Sequence, residues 1–188
     1  WIASIFVKLE RIERKDWPRL IACSFLGMVI NMLAFFKGLE LSTPVNSSVI
    51  ITISPIIVFI FSAILLKEKI KLIRSVGILF GFVGALILVL YTAKTGLNAP
   101  NIPLGNILFI VNSFAYGLYL VLVKPLIEKY NVINLLKWLF LLAIFMNFPV
   151  TIGEFSIVDW TNLPIKEAIL PMVFVVVGTT FCTYLFNA

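Results

Sequence analysis

Residues 45–66 read VNSSVIITISPIIVFIFSAILL, 22 residues without one charged side chain. As an α-helix such a run is about 33 Å long, and roughly 20 apolar residues are enough to cross about 30 Å of hydrocarbon. Five more charge-poor runs flank it, at residues 20–36, 76–93, 104–123, 132–152 and 168–186. Composition agrees with six spans: 61% of the residues are hydrophobic, only 13% are charged, and the mean hydropathy is +1.09. Soluble domains run near half apolar and a quarter charged. The fold class expected is therefore all-α, a polytopic transmembrane helical bundle.

The net charge of +6 raises nucleic acid as a partner, and the placement of the charges argues against it. Lys8, Arg11, Arg14, Lys15 and Arg19 precede the first full run, Lys67, Lys69, Lys71 and Arg74 follow the second, and Lys124 and Lys129 follow the fourth. The intervening loops hold only Lys94 and Lys166, eleven basic residues against two, which is the positive-inside pattern. The basic loops are expected in the cytoplasm, the lipid bilayer is the expected surroundings, and no nucleic acid is expected.

Histidine is absent, which removes imidazole acid/base catalysis, Ser-His triads and the usual zinc ligands. Cys23 and Cys182 both fall in apolar runs, at no metal-site or disulfide spacing, and read as packing residues. No acidic pair lies within a span, so the carboxylate dyad of an intramembrane aspartyl protease is missing too. Neither an enzyme, a metal nor a cofactor is expected.

An internal repeat emerges when GMVINMLAFFK (residues 27–37) is laid over GTTFCTYLFNA (residues 178–188): Gly27 meets Gly178 and Phe35 meets Phe186. The two segments are 151 residues apart with four helices between them, the spacing of a five-helix repeat. A repeat with an odd number of helices inserts its second copy upside down, one architecture of secondary transporters. Trp1–Val7 (WIASIFV) reads as the tail of an earlier helix, and the last helix runs straight to Asn187 and Ala188, so a piece of a longer chain is expected.

The run AFFKGLELSTPVNSSVIITISPIIVFIFSAILLKEKIKLIRSVGILFGFVGALILVL (residues 34–90) resembles the third to fifth helices of the EamA-type family of the drug/metabolite transporter superfamily. The ordered features are Gly38, Leu39, Ser42 and Thr43, then Pro55, the Lys-Glu-Lys of residues 67–69, and Gly77, Gly81 and Gly84. LGNILFIVNSFAYGLYLVLVKPL (residues 104–126) is similar to the opening helix of that family's second repeat. The resemblance implies ten helices in two inverted five-helix repeats with cytoplasmic termini. Residues 1–93 would close the first repeat and residues 104–188 would open a truncated second one.

Single motifs carry their own physics. Gly77 and Gly81 form a GxxxG, extended by Gly84, which reads as helix packing, with a substrate contact as the alternative. Pro55 removes an intrahelical hydrogen bond, and Thr52 or Ser54 is expected to re-satisfy the freed carbonyl. The kink is either a hinge or a static bend. Lys37, with Glu40 three residues on, and Lys137 lie near helix ends and are expected to snorkel, substrate binding being the alternative. Glu68 reads as an interfacial charge partner.

Polar and aromatic residues at helical spacing supply the candidate substrate cavity: Asn31 and Phe35; Ser48 and Thr52; Asn112, Tyr116 and Tyr119; Thr180 and Tyr184. Uncompensated amides in hydrocarbon are costly, so Asn31 and Asn112 should face the bundle interior. Interhelical hydrogen bonding without substrate is the competing role. The expected activity is alternating-access transport of a small-molecule solute, as an exporter in a bacterial inner membrane. A homo-oligomer is left open, and a non-transporting scaffold or an intramembrane enzyme is the competing class.

Overall fold

The computed structural model describes residues 10–67, 72–92, 99–157 and 165–186. Among these there is no strand, and the helices fall into six runs. These are α1 (Arg14–Leu41), α2 (Pro44–Leu65), α3 (Leu72–Thr92), α4 (Ile102–Ile127), α5 (Val132–Ile157) and α6 (residues 165–186). Five of them contain a stretch long and apolar enough to cross a membrane. The sixth, α3, is a helix of 21 residues. Four of the six expected runs lie wholly within helices, the run at 45–66 passes the end of α2 by one residue, and the run at 76–93 follows α3 to Thr92, its last position lying outside the described residues. Residues 1–7, Lys8, Glu68, Lys69, Lys71, Lys94, Asn187 and Ala188 lie outside the described residues.

Contacts divide the chain into two units, Ala22–Leu122 and Trp1–Ile21 with Val123–Ala188. The divisions fall inside α1 and α4 rather than in the connection between residues 93 and 104, where the two repeats are proposed to meet.

In the unit of residues 22–122, α1 and α4 run antiparallel along a seam of small residues. A β-carbon at Gly27 would come within 2.5 Å of the Tyr119 ring, and one at Gly38 within 2.7 Å of the Phe109 ring. Gly105 packs against Ser42, and Gly117 against Ile57 of α2. Close approach of this kind suits lipid, where packing and hydrogen bonds replace the hydrophobic effect as the force between helices. The turn from α1 to α2 is fixed locally by Ser42-Thr43-Pro44. Thr43 is extended, as a residue before proline must be, and its Oγ1 accepts the Asn46 N–H at 3.1 Å.

The same turn is tied to the start of α4. Asn101 donates its N–H to the Leu41 carbonyl at 2.9 Å, and Ser42 Oγ donates to Asn106 Oδ1 at 2.8 Å. Asn46 Nδ2 completes the cluster by donating to Ser42 Oγ at 3.1 Å.

The other unit is held by contacts between residues distant in sequence. Trp17 and Trp138 meet edge to face at 5.3 Å, and Phe140 and Tyr184 at 5.8 Å. Lys129 bridges Glu13 at 2.7 Å and Asp16 at 2.6 Å. Tyr130 Oη donates to the same Asp16 oxygen at 2.7 Å, and Asn134 Nδ2 donates to the Glu10 carbonyl at 2.9 Å. The ammonium of Lys129 beside Glu13, with Lys15 also in contact, holds the Glu13 carboxyl below its usual range, and the hydrogen bond to Asp16, followed by that to Glu13, raises Lys129.

Candidate functional site

Thr52 and Ile53 interrupt α2, separating Pro44–Ile51 from Ser54–Leu65. Their amides reach back only three residues, to the carbonyls of Val49 and Ile50 at 3.2 and 3.0 Å, and Pro55 has no N–H to continue the ladder. The break stands where Pro55 predicts it; of the two hydroxyls expected to repair it, that of Thr52 donates to Val49 at 2.5 Å rather than to the carbonyl of Ile51. The Thr52 hydroxyl points back three residues, away from the carbonyl that proline leaves open.

Beside this break lies a cavity of about 420 Å³, lined by Ser54, Pro55, Val58, Phe59 and Ser62 of α2, Ile78 of α3, and Tyr116 and Leu120 of α4. Three side chains in that lining can hydrogen-bond, Ser54, Ser62 and Tyr116, and none is charged. A second, smaller recess of about 280 Å³ is lined wholly by apolar residues, among them Phe61, Phe114 and Leu118. A solute needing orientation would find polar anchors only in the first.

The candidate residues are distributed unevenly. Tyr116 lines the larger cavity, as does Pro55. Its neighbour Tyr119 is buried, with the two rings 6.0 Å apart, and covers Gly27. Asn31 and Asn112 are buried and meet each other. Asn112 Nδ2 donates to the Asn31 carbonyl at 2.8 Å and to Asn31 Oδ1, while Asn31 Nδ2 donates to the Gly27 carbonyl at 3.0 Å. Neither amide lines either cavity.

The Phe35 ring meets that of Phe36 edge to face and lies tilted against that of Phe109. Ser48 is exposed, and its hydroxyl donates to the Pro44 carbonyl at 2.9 Å. Thr180 and Tyr184 belong to the other unit, where Tyr184 is buried against Phe140.

At Gly77, Gly81 and Gly84 a β-carbon would meet nothing within 4 Å, so the partner expected for the GxxxG face is not among the described residues. Close packing occurs instead at Gly27, Gly38, Gly105 and Gly117. Lys37 is exposed and pairs with Glu40 at 2.8 Å, while Lys137 is half-buried.

Sequence reasoning missed Ser62 and Phe59, the place of Ser54 in the cavity, and the packing role of the four glycines. Ser54 and Ser62 had a signal available, since they lie eight residues apart and share a helix face. The glycines had none, because their meaning depends on which aromatic ring stands opposite. Ser113, in the middle of α4, is also buried, and its hydroxyl has no hydrogen-bond partner among the described residues.

Residues 1–90 match the EamA-like transporter family. Over 133 residues the chain is 32% identical to an uncharacterized transporter of Archaeoglobus fulgidus, covering 71% of this chain and 46% of the relative. It is 23% identical over 155 residues to YyaM, an uncharacterized transporter of Bacillus subtilis, covering 78% and 51%. A WAT1-related protein of Arabidopsis thaliana is 36% identical over 98 residues, covering 48% and 28%. The chain thus spans about half the length, or less, of the curated relatives it matches. No solved structure matches it.

Proposed function

With residues 1–90 placed in the EamA-like transporter family, and the helices making the chain an integral membrane protein, we propose that the complete protein carries a small solute by alternating access. The supporting observation is the cavity at the interruption of α2. Its volume falls in the range of small-molecule sites, and its lining is apolar with a few polar groups. Lacking a charged side chain, that lining gives no counter-ion to an ionic solute, whose desolvation would cost several kcal/mol. The solute we assign is therefore uncharged, with an apolar body lying against Val58, Phe59, Ile78 and Leu120. A polar group of the solute meets Ser54, Ser62 or Tyr116. The direction we assign is export, across the cytoplasmic membrane of a bacterium, with no cofactor and no chemical conversion of the solute.

Binding to the purified complete protein, measured by thermal shift with matched neutral, anionic and cationic aromatics such as benzamide, benzoate and benzamidine, tests the solute class. The neutral member should bind best, and Tyr116→Phe should weaken it about tenfold, the loss of one hydrogen bond worth roughly 1.4 kcal/mol. Preference for a charged member would overturn the class. Flux of the bound compounds into liposomes then decides between carrier and scaffold.

A further inference from the structure

Between Phe25 and Ile30, α1 winds as a π-helix. The Asn31 N–H reaches back five residues to the Leu26 carbonyl instead of four to Gly27. The Gly27 carbonyl accepts the Asn31 side-chain amide instead, at 3.0 Å. Asn112 then holds Asn31 at two points, its backbone carbonyl and its Oδ1. One side chain of α4 thus fixes the residue that caps the irregular turn of α1.

When Gly27 is laid on Gly178, residues 25–30 fall on residues 176–181. These lie inside the second π-helical segment, Phe174–Cys182 of α6. Within it Thr179 Oγ1 donates to the Val175 carbonyl at 2.8 Å, and the segment closes with the Thr183 N–H on the Thr180 carbonyl, three residues back. π-Helix accounts for well under 1% of residues in proteins generally. Two segments with little sequence in common therefore depart from α geometry at the same place, and shared side chains do not explain it.

We infer that these two π segments are paired hinges, one in each repeat, at which α1 and α6 change register between the two access states. This rests on the transport reading. In the α register the Asn31 N–H takes the Gly27 carbonyl that its side chain now occupies, so one hydrogen bond replaces another and the two registers lie close in energy. The change is large in shape: one residue more or less in a helix turns everything beyond it by about 100°. Asn112, bonded to both the backbone and the side chain of Asn31, is the positioning residue that selects the π register.

The test uses the complete protein and two single-residue deletions. Removing Ile30 takes out the extra residue of the π turn and leaves Gly27 and Asn31 on one face, whereas removing Phe36 disturbs regular α-helix. The Ile30 deletion should fold with a yield within twofold of wild type, bind the neutral probe benzamide unchanged, and transport at least tenfold more slowly. The Phe36 deletion should misfold. Wild-type transport by the Ile30 deletion would overturn the hinge, as would misfolding equal to that of the Phe36 deletion, or loss of benzamide binding in a folded protein. Amide hydrogen exchange gives a readout independent of transport. In wild type, residues 26–31 should exchange at least tenfold faster than residues 32–37, and uniformly slow exchange would sink the proposal even if the protein carries no solute at all.

Discussion

Asn112 of α4 donates its side-chain amide to both the backbone carbonyl and the side-chain oxygen of Asn31 in α1. Each residue lies near the middle of its helix, where an unpaired amide would cost several kcal/mol in hydrocarbon. Hydrogen bonds between transmembrane helices are worth about 0.6 kcal/mol on average and up to roughly 1.7. The two-point contact should fall at the upper end. Asn112→Leu is expected to destabilise the protein by about 1–2 kcal/mol, and a double-mutant cycle with Asn31→Leu should return a coupling of at least about 1 kcal/mol. Strict additivity would mean that the pair does not act as a unit.

Glycine substitutions separate the packed seam from the open face. Gly27→Ala and Gly38→Ala push a methyl into the rings of Tyr119 and Phe109 and should cost about 1–3 kcal/mol in detergent unfolding. Gly81→Ala meets open space among the described residues and should gain up to about 1 kcal/mol of helix propensity. Destabilisation at Gly81 in the complete protein would reveal a neighbour on that face, as first expected from the GxxxG spacing.

Lys67, two residues past the end of α2, lies in the left-handed region, at φ 52°. A side chain there is strained, and glycine takes the position without penalty. Lys67→Gly should stabilise the protein by about 1 kcal/mol, read as a raised unfolding midpoint. A lowered midpoint would mean that the lysine side chain is worth more than the strain it causes.

Lys129, bonded to Asp16 and Glu13, makes stability depend on pH at both ends of the scale. Glu13 is held below its ordinary value of 4.5, so its contribution is present above that value and is lost as pH falls through the lower folded one. Lys129 is raised above 10.5, so its contribution is present below that value and is lost as pH rises beyond it. Both groups are exposed and screened, which keeps the effect small. Lys129→Met removes the partner that holds both Glu13 and Asp16 low and should flatten the acid limb of a plot of melting temperature against pH, and an unchanged limb would discount the cluster.

The charge asymmetry predicts sidedness. With Cys23 and Cys182 replaced, single cysteines at Arg14 and at Asn101 should react with an impermeant maleimide from opposite faces of the membrane. Labelling of the Arg14 position from outside intact cells would reverse the topology.

Helix existence was decided by sequence because the bilayer imposes a local condition: every backbone group must be satisfied within its own segment, so about 20 apolar residues suffice to specify a span. The spans around Val45 and Leu104, the break at Pro55, and the pairing of Lys37 with Glu40 were legible for that reason, each resting on residues within a few positions of one another. Burial of Asn31 and Asn112 was legible too, from the cost of an amide in hydrocarbon. What they bond to was not.

Tertiary structure alone decided that these two amides meet each other, that Gly27 and Gly38 rather than Gly77 and Gly81 lie under aromatic rings, and that Ser54, Ser62 and Tyr116 share a cavity. All of these depend on the rotation and register of one helix against another. In a membrane the lipid is as apolar as leucine, so hydrophobic patterning along a single helix does not mark which face turns inward. The faces are chosen by shape and by hydrogen bonds between residues some eighty positions apart, and only the folded chain brings those residues together.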